Sequence, residues 1–324
     1  MIFTERPRRL RASAAIREMV QETRLETSDL VWPAFIKAEG KDEPIASLPG
    51  CSRLPVTSLV ERAKRLHERG LKAIALFPQI DEKNKDARGS ESKNPNGLVP
   101  AAVKALKKAL PDLVVITDVA LDPYSSDGHD GLVKDGAVLN DETVAVLAEQ
   151  ALMQAEAGAD FVAPSDMMDG RVGWIRKTLD ENRFTGTGIL AYTAKYASCF
   201  YGPFRDALQS APKFGDKKTY QMNPLNVREA LREARLDQLE GADILMVKPA
   251  LCYLDVIRAL KSRADVPIAA YNVSGEYAMV KAAAANGWLD GDRAMLEMLG
   301  SMKRAGASMI FTYFTPEILE RKLL

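Results

Sequence analysis

The chain has 324 residues, and its 44 lysines and arginines are balanced by 44 aspartates and glutamates, so no global charge draws it to nucleic acid or to an anionic membrane surface. Three cysteines, Cys51, Cys199 and Cys252, lie far apart in sequence and form no C-x-x-C pair, which points to a reducing compartment. The N-terminus breaks every apolar run with a charge before a signal-peptide core builds up, and no run approaches the roughly 18 apolar residues of a membrane helix, so a cytoplasmic protein is expected.

Residues 1–28 are arginine-rich and amphipathic in SAAIREMVQET, either a solvated leader with one helix or an arm that packs on a neighbouring subunit. From there to the C-terminus, eight short apolar, β-branched runs alternate with segments of helical period: LVWPAFI (30–36), LKAIALFP (71–78), LVVITDVAL (113–121), ADFVAPS (159–165), TGILAYTA (187–194), ADILMVKP (242–249), VPIAAYNVS (266–274) and ASMIFTYF (307–314). Near-continuous hydrophobicity is how strands covered on both faces read, which predicts a parallel sheet. Four runs follow a helix that ends in glycine, in LHERG, QAEAG, LEG and KRAG, and a glycine there supplies the left-handed cap that turns the chain into the next strand. Repeated αβ units of this kind close into a (β/α)8 TIM barrel, with a doubly wound open sheet as the alternative; no G-x-G-x-x-G or P-loop follows a strand, which favours the barrel, here over residues 29–324. The polar stretch DEKNKDARGSESKNPNGLVP (81–100) is too long for an ordinary βα connection and follows a strand's C-terminal end, so it is expected to be a lid.

With this polarity, Lys248 sits at the C-terminal mouth of one strand and Lys195 at the mouth of the strand before it. A lysine in apolar surroundings or beside another cation loses some preference for the charged form, and its neutral amine attacks ketones to form Schiff bases. Each lysine alone reads as a strand-end side chain reaching solvent; two at neighbouring mouths, without nearby acidic partners in sequence, point to catalysis. The loop TDVALDPYSSDGHDG (117–131) offers Asp118, Asp122, Asp127, His129 and Asp130 for a hard cation, for acid–base work, or for Asx turns. Arg205, Lys217 and Lys218 are cations able to hold a substrate carboxylate, or a solvated basic loop. Ser274 and Tyr313 end the last two strands, where their hydroxyls reach a polar group or, for Tyr313, the core.

Taken together, ILMVKPALCYLD, AYTAKYASCFYGPFRDA, TDVALDPYSSDGHDG, APSDMMDGRVGWIR, KKTYQMNP, AAYNVSGEYAMVKAAA and TYFTPE resemble porphobilinogen synthase, the 5-aminolevulinate dehydratase family, in consistent order over nearly the whole chain. The resemblance implies that two molecules of 5-aminolevulinate condense with loss of two waters. Lys248 would form the Schiff base with the first, P-side substrate and Lys195 with the second, A-side one. Arg205 and Lys218 would hold the A-side carboxylate, with Lys218 ranked above its neighbour Lys217. Ser274 and Tyr313 would hold the P-side carboxylate, and Asp118 and Ser165 would line the A-side, with Asp118 a candidate for proton transfer. Zinc-dependent members have cysteines where this chain has Ala120, Asp122 and Asp130; one alanine and two carboxylates suit magnesium or no metal, so no catalytic zinc is expected. Glu233 stands at the family's allosteric magnesium position, near a subunit boundary and Arg11 of the arm, the alternative being an exposed carboxylate paired with Arg232 or Arg235. The resemblance also implies a homo-oligomer, octamer or hexamer, whose N-terminal arm wraps a neighbouring barrel. A single-lysine Schiff-base barrel of the aldolase type is the competing enzyme, and a barrel kept only for binding or assembly is the non-enzymatic reading.

Overall fold

A computed structural model describes residues 4–324. Each of the eight apolar runs forms one strand: β1 (Leu30–Lys37), β2 (Ala73–Pro78), β3 (Val114–Val119), β4 (Phe161–Pro164), β5 (Gly188–Lys195), β6 (Ile244–Lys248), β7 (Ile268–Asn272) and β8 (Met309–Thr312). They pair in chain order, all parallel, and β8 returns to β1 through Leu30↔Ile310 and Val31↔Phe311, so the sheet is closed. This is the (β/α)8 barrel expected from the sequence. Closure leaves both faces of every strand covered, by side chains inside and by helices outside, and every residue of β6 and β7 is buried.

The helices between strands include Val56–His67, Asp141–Glu156, Arg228–Leu239, Ser274–Ala285 and Gly291–Ala305. The four helix-ending glycines, Gly70, Gly158, Gly241 and Gly306, have φ of 106°, 104°, 102° and 126°, a region that a side chain rarely tolerates. Their place in sequence therefore sets where each chain reversal falls.

One irregularity shapes the barrel mouth. Leu245 pairs with Ala191 and Val247 with Ala194, so two steps along β6 match three along β5. The extra residue in β5 shifts the alternation of side chains, and Tyr192 and Lys195, three apart, both serve the barrel-facing side. The register then resumes with Lys248 opposite Lys195.

Residues of the arm from 7 to 19 form a short 3-10 turn (Pro7–Arg11) and a helix (Ala14–Met19) with no buried residue; Met19 is 75% exposed. The first three residues of the expected arm, 1–3, lie outside the described residues. The barrel proper begins at the turn Thr27–Asp29, where Asp29 meets Lys303 at 2.6 Å. The stretch 81–100 holds two 3-10 turns, Glu82–Asn84 and Ser90–Lys93, and lies along the loop after β3: Ser126 N donates to the Asp86 carbonyl at 2.9 Å. The segment that sends a side chain into the lysine cluster is a different one, 209–222, as described below. No helix among the described residues is long and apolar enough to cross a membrane.

The helix Ser274–Ala285 begins hard against the chain that follows β5. A Cβ on Gly275 would lie 2.7 Å from the Phe200 carbonyl oxygen and 2.8 Å from its Cα, both backbone atoms with no room to yield. Gly275→Ala is therefore expected to cost about 1–3 kcal/mol and to lower the thermal midpoint by several degrees. Gly202→Ala, where an added Cβ meets nothing within 4 Å, should leave the midpoint unchanged.

Candidate active site

Lys195 and Lys248 end adjacent strands in register, and both are buried, at 7% and 4% exposure. Their surroundings differ. Lys195 Nζ donates to Asp130 Oδ2 at 3.1 Å and, through a short bond, to the carbonyl of Ser165 at the end of β4. The second oxygen of Asp130 accepts from Lys217 Nζ at 2.5 Å, and Lys217 also reaches Asp122 Oδ2 at 3.3 Å. Among the described residues, Lys248 Nζ has no carboxylate partner. It sits 4.5 to 5.3 Å from the ring centres of Tyr271, Phe204, Tyr192 and Tyr201.

The electrostatics follow from this division. Burial, and then the like charge of Lys195, lower the Lys248 ammonium to about 7, more than Asp118, Asp122 and Asp130 together restore. Asp118, on β3, is pushed the other way to about 7, by burial and by the Asp122 carboxylate, with the Lys195 ammonium and the Ser165 hydroxyl pulling against it. For Asp130, burial alone would raise the carboxyl, but the ammoniums of Lys195 and Lys217 outweigh it and hold it at about 2. Near neutrality the mouth thus holds one amine able to lose its proton, one carboxyl able to give or take one, and one fixed anion.

The expectation that both lysines lack acidic partners is corrected for Lys195, because Asp130, distant in sequence, is folded against it by the loop after β3. Both oxygens of Asp130 and one of Asp122, the two carboxylates also expected as possible metal ligands, meet lysine ammoniums. The ranking of Lys218 over Lys217 reverses too. The side chain of Lys218 is 75% exposed and pairs with Asp216 at 3.0 Å, while Lys217 is buried. Adjacent residues of this turn project to opposite sides, and the sequence does not say which side faces the barrel.

Arg205, on the short helix Gly202–Leu208, is partly buried; its guanidinium makes no ion pair among the described residues, and its charge is felt by Lys217. That leaves a cation available to a carboxylate. Ser274 Oγ accepts from Phe204 N at 3.0 Å and donates to the Phe200 carbonyl at 3.2 Å, and the Tyr313 hydroxyl bonds that of Tyr271 at 3.0 Å. Both hydroxyls are tied to residues that wall in Lys248 or adjoin them. The four rings around Lys248 were not anticipated from sequence. Tyr192 and Tyr271 stand in predicted strands and Phe204 beside Arg205 on the short helix Gly202–Leu208, and the closed barrel brings them round one nitrogen.

Glu233 lies apart from this cluster, on the helix Arg228–Leu239. Its carboxylate pairs with neither Arg232 nor Arg235 among the described residues, and it shares the wall of a cavity of about 720 Å³ with Asp169, Glu229 and His129. Burial raises its carboxyl, and the neighbouring Asp237, Asp169 and Glu229 add to the rise against the pull of Arg171. Among the described residues no three histidine, cysteine, aspartate or glutamate side chains are grouped so as to hold a metal ion, so Glu233 offers a single carboxylate here.

A barrel whose strand ends converge a desolvated amine, a salt-bridged amine and tunable carboxyls has the site of a barrel enzyme at its C-terminal rim. Comparison with known proteins narrows the class. The family model for delta-aminolevulinic acid dehydratase matches residues 4–321. The chain is 57% identical over 318 residues to the delta-aminolevulinic acid dehydratase of Bradyrhizobium diazoefficiens, covering 98% of this chain and 90% of that one. It is likewise 57% identical over 313 residues to the chloroplastic enzyme of Selaginella martensii, covering 96% and 75%. The crystal structure of the Toxoplasma gondii enzyme (porphobilinogen synthase), in complex with its reaction product porphobilinogen, superposes with a TM-score of 0.97 at 51% identity, over 98% of this chain and 92% of that one. The chain belongs to the delta-aminolevulinic acid dehydratase family.

Because Lys195 depresses Lys248 through like charge, Lys195→Met should move the pH midpoint of Lys248 reactivity upward. The sign follows from removing a cation, which makes the remaining ammonium easier to keep. Competitive acylation of Lys248, followed by peptide mass spectrometry across pH 5–11, checks this. A midpoint unchanged by the substitution would mean that burial alone sets it.

Proposed function

We propose that the chain condenses two molecules of 5-aminolevulinate to porphobilinogen with loss of two waters, and that Lys248 and Lys195 each hold one substrate as a Schiff base. The observation that carries the two-lysine reading is the in-register pair at the mouths of β5 and β6, of which only one amine has a carboxylate. The neutral amine of Lys248 adds to the first ketone, and expulsion of water from the carbinolamine leaves an iminium carbon that is electrophilic and whose neighbour is acidic. Lys195 then takes the second ketone, with its leaving proton accepted by Asp118, whose carboxyl is poised near 7. Fixing both substrates on neighbouring strand ends replaces a bimolecular collision with an intramolecular one. Arg205 and Lys217 suit the carboxylate of the second substrate, and Lys217 is already inside the site where Lys218 is not. Ser274 and Tyr313 remain the hydroxyls proposed for the first.

Magnesium is the metal proposed, held by the Glu233 carboxylate through water molecules rather than by a cluster of protein ligands; when present it would offset the local negative charge rather than take part in bond making. The assembly proposed is a homo-oligomer, with the arm of one copy on the next. Its support is an arm that leaves Leu10, Met19 and Val20 exposed and buries nothing from residue 7 to residue 19 against its own barrel.

Two tests bear on this reading. Borohydride reduction with 5-aminolevulinate should add substrate mass to peptides bearing Lys248 and Lys195. Lys195→Ala should retain the Lys248 adduct while turnover drops by a factor on the order of 10³ or more. Near-normal turnover in that variant would instead support a single-lysine mechanism of the aldolase type. For the metal, chelation should reduce activity partly and magnesium should restore it; Glu233→Ala should abolish that stimulation while sparing basal turnover. Loss restored by zinc alone would contradict the assignment.

A further inference from the structure

Glu276 is fully buried, the third residue of the helix Ser274–Ala285 that follows β7, and forms no hydrogen bond with either lysine among the described residues. Its Oε1 accepts from the backbone N–H of Leu251 at 2.8 Å, and its Oε2 accepts from Val273 N–H and from Asn272 Nδ2, both at 3.0 Å. Leu251 lies three residues beyond Lys248, and Val273 directly precedes Ser274. One carboxylate therefore clamps the chain leaving the imine-forming lysine to the chain entering the hydroxyl proposed for the substrate carboxylate. Every group facing it is a donor, which only an ionised carboxylate satisfies on both oxygens; a glutamine would set its own NH2 against an N–H. Burial raises the Glu276 carboxyl to about 7 even with these donors, Ala250 N–H included, pulling it down, so the anion is held here at some expense to stability.

The helix cap alone does not call for this. Val273 N–H is the only one of the three hydrogen-bonded donors that belongs to the helix start; the other two belong to the exit of β6 and to the side chain of β7. We propose that Glu276 is a positioning residue that sets the spacing between Lys248 and Ser274, and so selects a substrate whose ketone and carboxylate are separated by two methylenes. The proposal rests on Lys248 as the imine-forming residue and Ser274 as a carboxylate contact, and extends that reading to chain-length specificity.

The test compares wild type with Glu276→Gln and Glu276→Asp, using 4-oxopentanoate and its one-carbon-longer homologue 5-oxohexanoate as probes. Under borohydride with 4-oxopentanoate, the ratio of Lys248 to Lys195 adducts should fall at least ten-fold in Glu276→Gln and less in Glu276→Asp, which keeps an acceptor-only group. As inhibitors of turnover, the shorter acid should win in wild type, and its advantage should shrink at least five-fold in the variants. Lys195 labelling within each sample reports whether the variant is folded. Equal loss at both lysines with inhibitor discrimination intact, or an unchanged adduct ratio in a folded variant, overturns the proposal. If wild type labels neither lysine, the Schiff-base reading fails separately, and the inhibitor ratio still decides whether Glu276 sets the spacing.

Discussion

The unequal sharing of one carboxylate governs this site. Asp130 accepts from Lys195 on one oxygen and from Lys217 on the other, and no carboxylate among the described residues pairs with Lys248. Two ammoniums side by side in a buried site repel strongly, since the Coulomb term grows as the effective dielectric falls. The pair is tolerable because one lysine is neutralised by Asp130 and the other, walled by four aromatic rings, is free to shed its proton. Chemistry that needs a nucleophilic amine near neutral pH follows from where a single aspartate points.

The scaffold makes that placement possible. A closed parallel barrel delivers eight strand ends to one rim, so residues at the ends of β3, β5 and β6 and in the loops after β3 and β4 meet although they are spread from Asp118 to Lys248. The bulge between β5 and β6 adds what regular alternation would deny, with Tyr192 and Lys195 on the same side. Glu276 acts from behind the rim, fixing two chain exits against each other. Each of these devices narrows the positions open to the side chains at the rim.

Much of this was legible in the sequence because the signals are local. The eight apolar runs became the eight strands, and the helix-ending glycines sit where a left-handed residue is required. The lysine pair could be placed on neighbouring mouths because strand order in a barrel follows chain order. What escaped was set by folding in three dimensions. Asp130 is 65 residues from Lys195, and nothing in its loop distinguishes an ion-pair partner from an Asx turn or a metal ligand. The choice between Lys217 and Lys218 depends on the twist of one irregular segment, which no periodicity encodes. The side chain of Lys217 that enters the lysine cluster comes from 209–222, an irregular segment with no periodicity to point it there. The family match carries the reaction with it, but the division of charge between the two lysines is visible only in the assembled site.

The most direct measurement is the titration of Lys248 in the intact wild-type protein, followed by the ε-methyl NMR signal of reductively 13C-methylated lysines assigned by Lys248→Arg. A midpoint near 7 is the value this site dictates. A signal that titrates near the ordinary 10.5 of a lysine would mean that the ring-lined cavity leaves its amine charged, and the division of labour between the two lysines would have to be abandoned.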